Sequence, residues 1–116
     1  MEPFLLVGLG GAAGSVARYL LSRLPAVKGL PAGTLAVNVS GSFLIAVLAG
    51  LGVSPDLHYL LAIGVLGGYT TFSTFGFETF RLLEDGDGRA AALNVGLNVL
   101  GSLLAAGAGF MLTGVK

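Results

Sequence analysis

The twenty residues from Thr34 to Val53 contain no Asp, Glu, Lys or Arg. An uncharged run of that length matches a bilayer, which a helix crosses in roughly 20 mainly apolar residues. Three further segments qualify: about Phe4 to Leu24, ending at Pro25; about Leu57 to Leu83; and about Arg89 to Thr113. Pro31-Ala32-Gly33 and Ser54-Pro55-Asp56 bound the uncharged run, and Glu84-Asp85-Gly86-Asp87-Gly88 separates the last two spans. In lipid a segment must satisfy its own backbone hydrogen bonds, so spans of this kind fold as helices. The sequence predicts an all-α, polytopic membrane protein: one domain over 1–116, four transmembrane helices, and no linker long enough to divide it.

Composition removes the soluble alternatives. Only 10% of the 116 residues are charged, against about 25% in a typical soluble domain. Six basic and six acidic residues balance, so no basic patch points to nucleic acid. The absence of cysteine excludes disulfides, thiolate metal sites and cysteine nucleophiles. His58 cannot build a metal cluster by itself. Glu2 replaces the basic region of a secretory signal, and the apolar run behind it is too long for one. Gly8-Leu9-Gly10-Gly11-Ala12-Ala13 imitates a dinucleotide fingerprint, but Lys28 stands where that fold needs an acid. Asn38-Val39-Ser40 reads as a glycosylation sequon inside a span, out of reach of a transferase. With no covalent nucleophile, general-base cluster or ATP site, the chain is not expected to be an enzyme.

Polar residues inside the spans are regularly placed. Thr34, Asn38 and Ser42 recur every four residues, as do Asn94, Asn98 and Ser102, so each trio lies on one helical face. Either trio can be interhelical glue; together with the hydroxyls of the third span they predict a hydrated path. Small residues at Gly10 and Gly14, and at Gly101, Ala105 and Gly109, have the spacing of close helix packing. The third span contains Gly67-Gly68-Tyr69-Thr70-Thr71-Phe72-Ser73-Thr74-Phe75. Its glycines are expected to loosen the helix and its hydroxyls to compete for backbone groups, giving a break in mid-span. Carbonyls and amides freed at such a break must be met by protein, water or an ion. Phe72 and Phe75, three apart, share a face; their positive ring edges can attract a small anion or simply pack.

These motifs, with Gly10-Gly11-Ala12-Ala13-Gly14 leading to Arg18-Tyr19 and with Asn38-Val39-Ser40-Gly41-Ser42-Phe43, resemble the Fluc, or CrcB, family of fluoride channels over nearly the whole chain. The resemblance implies an antiparallel, dual-topology homodimer enclosing two fluoride pores in the cell inner (plasma) membrane. It implies a structural Na+ on the dimer axis, held by the backbone carbonyls of Gly67 and Thr70 from each subunit. By the same resemblance Phe72 and Phe75 are the ring-edge pair, and Asn38, Ser73, Thr74, Asn98 and Ser102 border the fluoride path. Arg18 is placed near a vestibule, where it attracts anions or snorkels to the interface. Glu78 matches a family glutamate, or forms a helix pair with Arg81 at i+3.

The expected function is passive, fluoride-selective conduction that lowers cytoplasmic fluoride. Counted by loops, the N-terminal and C-terminal side carries only Lys116, and the other side carries Arg23, Lys28, Arg81 and Arg89 besides Arg18. That bias predicts a single orientation, whereas the resemblance implies both. The rival reading is a small proton-coupled multidrug exporter, which needs a buried acid in an early helix; the first two spans have none.

Overall fold

The computed structural model describes Glu2 to Gly114; Lys116, counted in the charge asymmetry, lies outside the described residues. Helix α1 is Pro3–Ser22 and α2 is Ala32–Leu51. The third span, Pro55–Glu84, is divided. Its first half, α3, starts with a turn of α-helix at Pro55–Leu57, winds as a π-helix over His58–Leu66 and returns to α-helix at Gly67–Tyr69. Its second half, α4, is Phe72–Glu84, and α5 is Gly88–Thr113. The chain is all-helical among the described residues, and its four spans are long and apolar enough to cross a membrane.

Local chemistry fixes the turns. After α1 the chain reverses over Lys28 (φ 53°) and Gly29 (φ 81°), and Val27 and Leu30 exchange both backbone hydrogen bonds at 3.0 Å. Gly52 closes α2 in the left-handed region at φ 65°, a conformation glycine adopts without a Cβ clash. Ser54 caps α3 and is followed by Pro55 at its first position. The Asp87 carboxylate accepts from the Ala90 amide at 3.0 Å and caps α5.

The helices form a thin slab of 48 × 33 × 18 Å. The two most extensive pairings are α1 with α3 and α2 with α5. Buried apolar side chains are few and mostly small, among them Leu6, Val37, Ala62, Leu66, Ala90 and Ala91. The outer surface carries exposed large apolar side chains along every span. In a soluble protein that surface would drive aggregation; in hydrocarbon it costs nothing, and helix association relies on packing and polar contacts instead.

Glycine provides that packing. A Cβ at Gly10 would collide with the Leu60 carbonyl, and one at Gly14 with the Val65 carbonyl. On the other side of the seam, a Cβ at Gly68 would lie 2.5 Å from the Gly11 oxygen. Backbone therefore meets backbone between α1 and α3. Gly109 similarly approaches the Phe43 carbonyl, which brings α5 against α2.

This corrects the role expected of Gly67 and Gly68. Gly67 is helical at φ −64°, ψ −40°, and Gly68 serves contact with α1. The helix breaks just beyond them, where Thr70 (φ −77°, ψ 154°) and Thr71 (φ −148°, ψ 119°) are extended. The π-helical winding of His58–Leu66 is a second departure, since its apolar sequence carries no breaker until Gly64.

The α1–α3 seam gives a direct expectation. Gly14→Ala should destabilise the protein by about 1–3 kcal/mol, the usual range for overpacking, read as a lowered thermal midpoint in detergent. Gly107→Ala, where an added Cβ meets nothing within 4 Å, should leave the midpoint close to wild type.

Candidate pore at the broken third span

Thr71 is the pivot of the break. Its hydroxyl accepts from the Thr74 amide at 3.1 Å and so caps α4. On the other side, Thr70 returns both its amide and its hydroxyl to the Leu66 carbonyl at 3.0 Å, which finishes α3. The peptide groups of Thr71 itself are held by Asn38 of α2. The Thr71 N–H donates to Asn38 Oδ1 at 2.9 Å, and Asn38 Nδ2 donates to the Thr71 carbonyl at 3.0 Å. One carboxamide thus supplies both hydrogen bonds that a helix would have supplied. Gly41, one turn along α2, has no Cβ to collide with the Thr70 methyl, so α2 can lie against the break.

Asn38 also joins a wider set of amides. Its Nδ2 donates to Asn98 Oδ1 at 3.1 Å; Asn98 Nδ2 donates to the Asn94 carbonyl at 2.9 Å and to Asn94 Oδ1 at 3.1 Å. Asn94 Nδ2 donates to the Thr79 hydroxyl at 2.9 Å, and that hydroxyl donates to the Phe75 carbonyl at 2.8 Å. Asn94 and Asn98 are only 2% and 4% exposed. The interior of this molecule is thus amide-rich while its exterior is hydrocarbon.

Two cavities flank the break. One, of about 410 Å³, is lined by Asn38, Ser42, Thr70, Thr71, Phe72, Phe75, Asn98 and Ser102, with Ile45, Val99 and Leu103. No charged side chain faces it. The other, of about 230 Å³, is lined by Arg18, Tyr19, Ser22, Thr34, Val37, Thr71 and Thr74. Thr71 borders both, so the two spaces approach each other across the capping residue. The Phe72 and Phe75 rings stand 5.8 Å apart at 58°, within the range of edge-on aromatic pairs. Phe72 is 81% exposed.

The sequence-derived residues therefore separate into groups. Asn38, Phe72, Phe75, Asn98 and Ser102 surround the larger cavity, and Arg18 and Thr74 the smaller. Ser73 is exposed and borders neither; its hydroxyl lies 3.4 Å from that of Thr71. Glu78 lines a third cavity of about 330 Å³, together with Phe77 and Arg81. The i+3 ion pair expected of it does not form: Arg81 lies over the Phe77 ring, 5.7 Å from its centroid, and Glu78 Oε1 is buried without a hydrogen-bond partner. The sequence reading had not singled out Thr71 from its neighbouring hydroxyls, nor Thr79. The S/T-x-x-E/Q signature of a capped helix start is absent, because Thr74 stands at its last position, so no local pattern separates Thr71 from Thr70 or Ser73.

Among the described residues no cluster of three or more His, Cys, Asp or Glu could hold a metal ion. A cation at this site would be met by neutral oxygen, from backbone carbonyls or hydroxyls. With the Thr71 amide turned to Asn38, the Gly67 carbonyl loses the i+4 donor that a continuous helix would give it.

Comparison with known proteins agrees with this architecture. The model of the family described as CrcB-like protein, Camphor Resistance (CrcB), matches residues 5–110. A protein of Methanosarcina acetivorans named fluoride-specific ion channel FluC 3 is 48% identical over 100 residues, covering 85% of this chain and 90% of the relative. Fluoride-specific ion channel FluC of Shewanella sp. (strain ANA-3) is 49% identical over 106 residues, covering 85% of this chain and 86% of the relative. FluC 1 of Methanosarcina barkeri is 45% identical over 100 residues, with 85% and 86% covered. By fold, by the composition of its broken span and by these matches, the chain belongs to the CrcB family.

Proposed function

We propose that the protein is a fluoride-selective channel that passively exports fluoride across the cell membrane and so lowers its toxicity in the cytoplasm. The observation that carries this reading is the pair of cavities meeting at Thr71, neutral and hydroxyl-rich on one side and bearing Arg18 on the other. Fluoride is small and strongly hydrated, so a narrow path must replace its water with donors. The hydroxyls of Thr74 and Ser102 are such donors, and the N-terminus of α4 adds a positive partial charge. The Phe72 and Phe75 edges add two more positive surfaces. Ser73, outside both cavities here, would join the path only where a second subunit covers the outer side of α4.

The direction of flow follows from acid–base chemistry. Neutral hydrogen fluoride crosses lipid, dissociates in a less acidic cytoplasm and leaves the anion behind. A negative-inside potential then drives the anion out through a passive pore. The multidrug-exporter reading lacks its central group: neither α1 nor α2 contains a carboxylate.

Function as an antiparallel homodimer is part of the same proposal. Its support is the exposed Phe72 ring beside a half-buried Phe75, a pair half-built in one subunit. The exposed Gly67 and the extended Thr70 fit a structural Na+ shared by two subunits: neutral carbonyl oxygens suit a hard monovalent cation. When bound, that ion would neutralise the carbonyl ends of two α3 helices. Glu78 Oε1, buried without a partner in one subunit, would find one in the second subunit or in water.

Purified protein in vesicles should release fluoride rapidly while chloride stays trapped, each followed with its own ion-selective electrode; equal release, or none, overturns the proposal. Phe72→Ile and Phe75→Ile should each slow fluoride release at least about tenfold, or ~1.4 kcal/mol of barrier, with the dimer intact on gel filtration. Reconstitution with N-methylglucamine in place of sodium should abolish fluoride flux and restore it when sodium is returned.

A further inference from the structure

The amides around the break form a chain with a forced direction. A backbone N–H can only donate and a carbonyl can only accept, so Asn38 must turn Oδ1 to the Thr71 amide and Nδ2 to the Thr71 carbonyl. The second hydrogen of Nδ2 then points at Asn98, which must present Oδ1. That leaves Asn98 Nδ2 facing the Asn94 carbonyl and Oδ1, and Asn94 must offer Nδ2 to the Thr79 hydroxyl. Thr79 donates in turn to the carbonyl of Phe75. The relay thus begins on the backbone of Thr71 and ends on the backbone of Phe75, both at the start of α4, having crossed α2 and α5 between.

We propose that Asn94 and Asn98 are positioning residues: their relay with Asn38 and Thr79 holds the first turn of α4, and with it the Phe72–Phe75 pair, in the geometry that conduction needs. This rests on the channel reading above. Three observations carry it beyond a polar lining. Both amide hydrogens of Asn38 and both of Asn98 are already committed within the protein, so neither side chain has an N–H left for a passing anion. Asn94 is 2% exposed and borders neither cavity at the break, so it acts on the path only through its neighbours. And the relay spans the segment that bears both rings. The free donors along the larger cavity are the hydroxyls of Ser42 and Ser102, since Thr70 spends its own on the Leu66 carbonyl; the asparagines are its frame.

The test pairs vesicle flux with hydrogen exchange of the dimer in detergent. Asn94→Leu and Thr79→Val should each lower fluoride flux at least about tenfold, and Thr79→Ser, which restores the hydroxyl, should return it to within about twofold of wild type. In a Phe75→Ile background, Asn94→Leu should lower flux by no more than about twofold further, because both changes act on one ring. Exchange of the peptide containing Thr71 should quicken at least about tenfold in Asn94→Leu and in Thr79→Val, with the α1 peptides unchanged. Effects that multiply, wild-type flux in Thr79→Val, failed rescue by serine, or unaltered exchange at Thr71 would each overturn the proposal. If Asn94→Leu does not assemble, the Thr79 pair alone decides. Exchange is read without any fluoride current, so a wild-type protein that conducts nothing would remove the channel reading and leave the relay to stand or fall on exchange.

Discussion

Two hydrogen bonds between Asn38 and the Thr71 peptide make the broken span tenable. At membrane depth an unmet backbone amide or carbonyl costs several kcal/mol, because no water is at hand to replace the lost helical partner. A break therefore needs a substitute for the helix, and a carboxamide is the one side chain with an acceptor and a donor spaced like a peptide. Asn38 supplies both at 2.9 and 3.0 Å. Everything polar around it follows: Thr71 is free to cap α4 with its hydroxyl, Thr70 is free to finish α3, and the carbonyl end of one half-helix and the amide end of the next are brought into the same small region. Those two ends carry opposite partial charges, so on the proposed reading the amide end would favour an anion and the carbonyl end a cation.

The glycine seams solve a different part of the problem. Hydrocarbon solvates leucine as well as a protein core does, so these helices gain little from hiding apolar side chains. They gain from approach. Gly10, Gly14, Gly64 and Gly68 bring α1 and α3 into backbone contact, and α3 accommodates that contact by winding as a π-helix over His58–Leu66. A π-helical segment is sparingly stable on its own and persists where packing fixes it. The seam anchors the half-span that ends at Thr70, and the amide relay anchors the half-span that begins at Phe72. The break is thus fixed from both sides by contacts that do not involve the path itself.

How far the sequence could be read depends on the range of the interaction. The four spans, their bounding turns and the presence of a break are local matters of run length, charge and turn residues. The stripes Thr34–Asn38–Ser42 and Asn94–Asn98–Ser102 were equally visible, since four-residue spacing alone defines a face. What those faces touch was not visible. Whether Asn98 donates to an ion or to Asn94 depends on the helix opposite, and no spacing encodes it. The two glycines at the break misled for the same reason: Gly68 looks like a breaker until α1 is seen 2.5 Å from where its Cβ would be. Glu78 and Arg81 have the separation of a helix ion pair, yet Arg81 prefers the Phe77 ring, where its guanidinium packs on a π-face.

A conduction path must bind its ion well enough to strip water and loosely enough to release it. Fixed amides aimed into the cavity would hold a small, hard anion tightly. On the proposed reading the protein avoids this by directing its strongest donors at one another. Asn38 and Asn98 face the larger cavity but spend their hydrogens on Thr71, on Asn94 and within their own pair. The ion is left with hydroxyls, which rotate and donate one at a time, and with ring edges, whose attraction is shallow. Rigidity and weak binding then come from the same residues: the amides that stiffen the wall are thereby unavailable to trap what passes along it. A wall of unpaired asparagines would offer more donors and conduct less.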